Sequence, residues 1–232
     1  MIEAEKYLAQ TEHAVKGMFE MLAYYDGLLK ASVERIPHIA IRHSGKGGEF
    51  QQLHGQWLNQ PDIKKKTFEA ECARDEVSAS MFSRHVISGS ILQIACKAIE
   101  LFSSNKEPKS EYAFLFEGVV SKKPKYYKFL VGRLIKRVPI GLIIYAGRNQ
   151  YNHFDEAPLR DKVNINVFEA LALEDGSMFD DGMDFKNPSF DLEYAPIRVR
   201  SSIMLSALGW KTYQDYYVDM QSIIYETYQT VD

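Results

Sequence analysis

Apolar residues recur every seventh position through the first part of the chain. The positions are Leu8, Val15, Leu22, Leu29 and Ile36, with Met18 and Tyr25 between them. This spacing predicts one long helix with a narrow apolar seam, ending before Pro37 because the residue ahead of a proline disfavours helical backbone. The seam either packs within the chain's own helical bundle or pairs in part with a second protomer.

Similar patterns predict helices along most of the remaining chain. Asp75 or Ser78 can cap a second long helix, which ends in the polar stretch from Ser103 to Pro108. Its face between residues 78 and 90 is rich in small residues, which would allow another helix to approach closely. The further predicted helices are 111–137, a helix that begins at Pro139 and ends near 154–158, then 163–173 and 201–228.

Two segments lack a helical pattern. Residues 43–62 read as loop from their glycines and prolines, within a loop-rich stretch covering 37–75. Residues 174–199 form an irregular insert in which a short β-hairpin would fit. With neither a repeat nor a clear linker, we interpret residues 1–232 as one all-α (mainly helical) domain that carries these two insertions.

Composition limits the classes of function. The net charge of −3 exerts no overall attraction on nucleic acid, so any such binding needs a local basic patch. Two cysteines and an N-terminus unlike a secretory signal favour a reduced, cytoplasmic setting. The longest apolar run, 138–147, is about half a bilayer span, so no membrane association is expected. The histidines and the acidic residues 180–184 lack the spacing of a metal site, and no cofactor is expected.

A polar hexapeptide, Arg148 to His153, directly follows the apolar run 140–147. On a helix, Asn149 and His153 share one stripe with Tyr145, whereas Arg148 begins a neighbouring stripe with Asn152. Arg148 and His153 are therefore roughly 140° apart around the helix axis.

One such helix does not easily direct both side chains at a single atom, but a second copy of the helix could complete the group. The small residues Ala146 and Gly147 would permit that approach. The alternative is structural: Arg148 forms an ion pair with Asp155 or Glu156, and the polar side chains stabilise a helix end.

The residue types themselves suit phosphate chemistry. A guanidinium is a permanent planar cation whose donors match phosphate oxygens. An imidazole can give or take a proton near neutral pH. Phosphoryl transfer requires mainly positioning and charge stabilisation, which such a pair could supply.

The segment from Val138 to Phe154 resembles the Arg-x4–6-His signature of the HEPN superfamily, in which a polar residue such as Asn follows the arginine at the end of a hydrophobic helix. The resemblance covers about 20 residues. It implies a bundle of long antiparallel helices that forms a homodimer, with two motifs in one cleft. In active members of the superfamily that cleft is a metal-independent endoribonuclease.

Transferred residue by residue, the resemblance implies that Arg148 binds the scissile phosphate of RNA and that His153 is the general acid or base. Attack by the ribose 2′-hydroxyl would leave a 2′,3′-cyclic phosphate. Asn149 would orient this pair, and the supporting residues would be Asn152, Tyr145 and Tyr151.

The same resemblance suggests a role in stress response or phage defence, with an antitoxin or regulatory protein as a further partner. The position of the tyrosine that some toxins of the family modify is here occupied by Asp155. The alternative function is a non-catalytic helical module that binds RNA or protein through the same groove.

A basic stretch precedes the motif helix. Its members are Lys122, Lys123, Lys125, Lys128, Arg133, Lys136 and Arg137, with no acidic residue among them. Tyr126 and Tyr127 lie between these cations, and alternating cations and aromatic rings are typical of surfaces that bind single-stranded RNA. The alternative is a solvated face whose tyrosines fill the core.

Overall fold

The described part of the chain is mainly helical and contains one two-stranded antiparallel hairpin. The computed structural model describes residues 4–36, 47–107, 110–119, 124–153, 161–173, 187, 189–190 and 200–229. The α-helices are α1 (Ala4–Glu34), α2 (Gly47–Leu58), α3 (Pro61–Phe102), α4 (Ile140–Asn152), α5 (Lys162–Ala172), α6 (Arg200–Leu208) and α7 (Tyr213–Gln229). Two 3₁₀ helices, Ser110–Phe116 and Pro124–Phe129, precede the hairpin strands β1 (Leu134–Ile135) and β2 (Val138–Pro139).

The chain divides into two compact units. The large unit contains Met1–Leu22 and His85–Asp232, and the small unit contains Ala23–Arg84. Helices α1 and α3 contribute residues to both.

Within the small unit, α1 and α3 run antiparallel. Asp26 forms an ion pair with Arg84 (2.5 Å), and the Ser32 hydroxyl donates to Glu76 (2.9 Å). Arg35 also pairs with Glu76. Residues later in α1 thus meet residues earlier in α3.

The centre of the large unit is α4, whose first eight residues, Ile140 to Gly147, are all buried. A helix that is apolar all round can be stable only when other elements surround it. A Cβ added to Gly141 would lie 2.4 Å from the Phe129 carbonyl oxygen, and one added to Gly147 would lie 2.9 Å from side-chain carbons of Leu92 and Met204. Both glycines therefore set how closely the neighbours approach α4.

The hairpin supplies the start of α4. Pro139 occupies the N-cap position and has no side-chain hydrogen bond to offer. The first amides instead donate to backbone carbonyls just upstream: Ile140 N–H to Arg133 (3.0 Å) and Gly141 N–H to Val131 (3.2 Å). The buried helix end is thus satisfied by main chain rather than by a capping side chain.

The hairpin turn consists of two cations in left-handed backbone. Lys136 has φ 48° and Arg137 has φ 65°. Positive φ at both central residues is the geometry of a type I′ turn, which matches the twist of a two-residue hairpin. The Lys136 ammonium donates to the carbonyls of Leu171 and Leu173 at the end of α5.

Several sequence predictions are confirmed. Helix α1 ends at Glu34, before Pro37, and its seam residues Leu8 and Val15 are buried in the large unit. Helices α4 and α5 lie within one residue of their predicted starts. The small-residue face of α3 does admit close packing, since a Cβ on Gly89 would clash with the ring of Tyr151.

The loop prediction for 43–62, and with it the loop-rich reading of 37–75, is wrong for the described residues. Helix α2 covers 47–58, and α3 begins at Pro61 rather than at Asp75 or Ser78. Proline suits the first position of a helix because its missing donor is not needed there. The inward face of this first part of α3 is formed mainly by small residues, including Ala70 and Ala73, so the hydrophobic pattern was weak. Residues 37–46 lie outside the described residues.

The single helix predicted at 111–137 is also wrong. Glycines at positive φ, Gly118 (69°) and Gly132 (81°), interrupt it, leaving two 3₁₀ helices and the hairpin. The predicted last helix is divided into α6 and α7 at Gly209 (φ 73°). The insert 174–199, with its suggested hairpin, lies outside the described residues except for 187 and 189–190.

Among the residues that the structure describes, one helix, α3, contains an 18-residue window long and apolar enough to cross a membrane, and 56% of that window is buried inside the fold. A core helix has the same length and composition as a membrane span.

Arg133 links the hairpin to α7. Its guanidinium donates from Nε and Nη2 to the two carboxylate oxygens of Asp219, both at 2.8 Å, and to the Leu208 carbonyl at 2.6 Å. The indole of Trp210 donates to the same carboxylate at 2.8 Å. The hydrogen bonds and charge of Asp219 raise the pKa of Arg133.

We predict that Asp219→Ala lowers the free energy of unfolding by about 3 kcal/mol, because it removes the acceptor of three hydrogen bonds, two from Arg133 and one from the buried Trp210 indole. Urea denaturation followed by circular dichroism measures this. Glu169→Ala, which removes an exposed carboxylate from α5, is the matched control and should change stability by less than about 0.5 kcal/mol. Equal effects of the two substitutions would contradict a structural role for the network.

Candidate functional site

Arg148 lies where α4 emerges from the core. Its guanidinium donates to Gln93 Oε1 (3.2 Å) and Asn149 Oδ1 (3.2 Å), and its Nη2 lies 3.4 Å from Glu100 Oε1. The side chains of Arg148 and Glu100 are 27% and 33% exposed. Arg148 is therefore held by its own chain but remains accessible to a ligand.

Arg148, Asn149 and Asn152 of α4 form a polar group with two residues of α3, Gln93 and Glu100. Gln93 and Glu100 are seven residues apart, so they lie on one face of the helix. Gln93 also donates to the side-chain oxygen of Asn152. Gln93 on α3 thus links Arg148 to Asn152, while Arg148 itself donates to Asn149.

Cys96 lies beneath this group, with its sulfur 4.0 Å from Glu100 Oε1. Burial raises the pKa of the Cys96 thiol to about 12, while the charge of Arg148 acts in the opposite direction. The thiol is therefore protonated at neutral pH and serves as a small apolar group.

Asn149 connects the polar group to a second network on the other side of α4. Its side chain contacts the hydroxyl of Tyr145, which donates to Asp161 at 3.3 Å. Tyr126 donates to the same carboxylate at 3.4 Å. Burial raises the pKa of both tyrosines to about 12, so they remain donors. Asp161 also caps α5 by accepting from the Val163 amide.

His153 ends α4. It is the C-cap residue, with φ −123° and ψ 31°, and its backbone N–H donates to the Asn149 carbonyl at 3.1 Å. The residue is exposed. Asn149 therefore lies in the last helical turn, and His153 follows as the first residue with non-helical backbone. Its exposed imidazole lies at the C-terminal end of α4.

The structure assigns different surroundings to the other motif residues. Tyr151 packs edge-on against His85, with ring centroids 5.7 Å apart, and lies against Gly89. Gly147, expected to admit a second motif helix, instead admits α3 and α6 of the same chain. The alternative ion-pair partners Asp155 and Glu156 lie outside the described residues, and Glu100 takes that role.

The cations predicted to bind RNA are dispersed over contacts within the chain. Lys128 donates to the Glu100 carbonyl near the end of α3 (2.8 Å), and Lys136 donates to the end of α5. Arg133 is paired with Asp219. These three cations stabilise helix ends or join elements.

The remaining described cations lie over aromatic rings. Lys125 Nζ is 4.9 Å from the ring centroid of Tyr126 and 5.7 Å from that of Tyr145, and the Arg137 guanidinium is 5.1 Å from that of Phe114. Two members of the patch lie outside the described residues: Lys122 and Lys123. The tyrosines between the cations, Tyr126 and Tyr127, are buried, as the alternative interpretation of the patch predicted.

Gln93, Glu100 and Asp161 were missed by the sequence analysis. Gln93 and Glu100 precede Arg148 by 55 and 48 residues, and no local spacing links them to it.

In the described part of the chain, no group of three or more His, Cys, Asp or Glu side chains is arranged to hold a metal ion.

Comparison with known proteins gives no assignment: no family model, no curated protein and no solved structure matches the chain.

We predict that a thiol reagent modifies Cys72 rapidly in the native protein at pH 8, and Cys96 only after unfolding. Cys72 is exposed, whereas Cys96 is buried and its raised pKa keeps it protonated at that pH. Release of the reagent's chromophore gives the count, and Cys72→Ser should remove the fast phase. Two fast thiols in the native protein would mean that the wall beneath Arg148 is open to solvent.

Proposed function

We propose that the chain is a HEPN-like, metal-independent endoribonuclease whose active site is completed by a second copy of the motif. The observation that carries the proposal is the accessible Arg148 guanidinium, fixed beside Asn149 at the end of α4, with His153 as the residue that ends the helix. These residue types in that order match the signature at the level of sequence.

The proposed reaction needs a cation and a group that moves protons. The imidazole of His153 takes the proton of the ribose 2′-hydroxyl as the 2′-oxygen bonds to phosphorus. The bond from phosphorus to the 5′-oxygen breaks, and that oxygen receives a proton, leaving a 2′,3′-cyclic phosphate. Arg148 stabilises the charge that develops on the phosphoryl oxygens.

Two copies of the motif would divide these tasks. One exposed imidazole could remove the proton while that of the other copy supplies one. Because Arg148 and His153 lie at different angles around α4, a homodimer offers a way to direct both at one phosphate. The cytoplasmic location is proposed from the composition, whereas a role in stress or phage defence with an antitoxin or regulatory partner rests on the resemblance alone.

A non-catalytic module that binds RNA or protein through the same groove is the second candidate. The specific observation in its favour is that Glu100 already lies 3.4 Å from the Arg148 guanidinium. A phosphate has to compete with that carboxylate, and a site used only for structure or protein binding would not need to admit one.

For the nuclease, we expect Arg148→Ala and His153→Ala each to reduce cleavage of single-stranded RNA by at least about 100-fold in excess EDTA. Denaturing gels of end-labelled RNA measure cleavage, and chemical analysis of the product ends tests for the cyclic phosphate. Lys211→Ala and His13→Ala, which remove an exposed cation and an exposed imidazole elsewhere in the large unit, are matched controls.

Cleavage at equal rates by the wild type and both motif variants would exclude the proposed site. Absence of cleavage in all proteins, together with RNA binding that depends on Arg148, would favour the non-catalytic module.

Glu100 would compete with an RNA phosphate for the Arg148 guanidinium, and this competition can be measured. In a His153→Ala background, chosen because the proposal expects slow cleavage there, Glu100→Gln should tighten RNA binding by up to about fivefold, since a partly exposed ion pair is worth up to about 1 kcal/mol. Fluorescence anisotropy of labelled RNA measures the affinity, with Glu169→Gln as the control for loss of one distant negative charge. Weaker binding after Glu100→Gln would show instead that Glu100 holds Arg148 in its binding position.

A further inference from the structure

The Glu100 carboxylate lies between two cations of different helices. Its Oε1 is 3.4 Å from Arg148 Nη2, and its Oε2 is 3.5 Å from Lys97 Nζ. The Lys97 side chain is 57% exposed, against 33% for Glu100 and 27% for Arg148, so the ammonium is the most accessible of the three groups. One carboxylate therefore bridges two cations at the surface of the large unit.

A third cation adds to the positive charge beside this carboxylate. Lys128, in the 3₁₀ helix Pro124–Phe129, donates to the main-chain carbonyl of Glu100 at 2.8 Å. Three positive charges thus contact one residue that carries a single negative charge. Since the whole chain has a net charge of −3, a phosphate needs a local excess of positive charge such as this one.

Both ion pairs of Glu100 are suited to exchange with another anion. Their distances are longer than the about 2.8 Å of a strong charge-assisted hydrogen bond. Lys97 precedes Glu100 by three residues on α3, and a lysine ahead of its acidic partner is the less favourable order on a helix. Partly exposed pairs of this kind contribute little to stability, so an incoming anion can replace the carboxylate at low cost.

Lys97 lies on the face of α3 that meets Arg148. It follows Gln93 by four residues and precedes Glu100 by three, so the three side chains share one face of the helix. Arg148 contacts the residues on either side of Lys97 along this face, since its Nε donates to Gln93 at 3.2 Å and its Nη2 meets Glu100. The packing of α4 on α3 therefore brings the guanidinium and the ammonium to the same carboxylate.

We infer that Lys97 and Arg148 together bind one phosphodiester of the RNA substrate, in the place that the Glu100 carboxylate occupies. The two non-bridging oxygens of a phosphodiester offer the same pair of acceptors as a carboxylate, one for the guanidinium and one for the ammonium. Glu100 turns toward solvent when the phosphate enters. The inference rests on the proposed function and deepens it by adding a second cation, from α3, to the phosphate site.

RNA binding at several salt concentrations tests the contact. The protein carries His153→Ala, excess EDTA is present, and fluorescence anisotropy of labelled single-stranded RNA gives the affinity. Lys97→Ala should weaken binding about fivefold and make the slope of log affinity against log salt shallower by about 0.7, the change expected when one phosphate contact to a single strand is lost. Lys211→Ala, which removes an exposed lysine elsewhere in the large unit, is the matched control and should change neither quantity.

An indirect effect through Glu100 has a different signature. If Lys97 acted only by neutralising this carboxylate, Lys97→Ala would have no effect once Glu100→Gln had removed the charge. Direct contact with the phosphate predicts the same fivefold loss and the same change of salt slope in the Glu100→Gln background. Circular dichroism checks that each variant is folded.

Inorganic phosphate separates this inference from the nuclease. NMR follows the Arg148 Nε–H signal of the Glu100→Gln protein during a phosphate titration at constant ionic strength, and adding Lys97→Ala should raise the phosphate Kd at least about threefold. Phosphate binding that needs both cations, without any RNA binding, would support the two-cation site and overturn its assignment to RNA together with the proposed function.

Cleavage that requires Arg148 and His153 but is unchanged by Lys97→Ala, together with unchanged RNA affinity, would overturn the inference and leave the nuclease standing. The inference also fails if Lys97→Ala has no effect on either probe in the Glu100→Gln background, or if that protein binds neither phosphate nor RNA.

Discussion

The fold of the large unit depends on complete burial of the first two turns of α4. A helix apolar on every side has to be enclosed, and enclosure requires its first amides to find acceptors without water. The carbonyls of Val131 and Arg133 provide them, which fixes the hairpin against the helix start. The glycines at 141 and 147 then determine how closely backbone and side chains approach.

The same burial determines where chemistry can occur. The buried first part of α4 carries no charged side chain, so Arg148 is the first cation along the helix and occurs where α3 can offer Gln93 and Glu100. Because a half-buried guanidinium needs several acceptors, the group is ordered before any ligand arrives. An ordered group of this kind suits either a ligand-binding site or a purely structural contact between α3 and α4. The Glu100 carboxylate separates the two cases, because it competes with a phosphate but stabilises a structural contact.

The sequence predicted the elements that have a clear apolar periodicity or clear helix-boundary residues. The seam of α1, the apolar run of α4 and the proline before it were sufficient for those two helices. It did not predict α2 or the first part of α3, because small inward residues such as Ala70 give little contrast with polar neighbours. The motif residues were found from a local pattern, whereas Gln93 and Glu100 reach Arg148 only through tertiary packing. No spacing in one sequence records such a pair.

The turn of the hairpin illustrates a conflict between local and global preference. Asparagine and glycine adopt left-handed backbone with least strain, yet Lys136 and Arg137 occupy both positions. Their side chains serve distant elements: one caps α5 and the other covers Phe114. Local backbone preference and long-range contacts therefore conflict in this turn. Substituting Asn-Gly would relieve the backbone strain of the hairpin but would remove the contact of Lys136 with the end of α5. A two-residue turn with unfavourable backbone angles thus holds two separate parts of the large unit through its side chains.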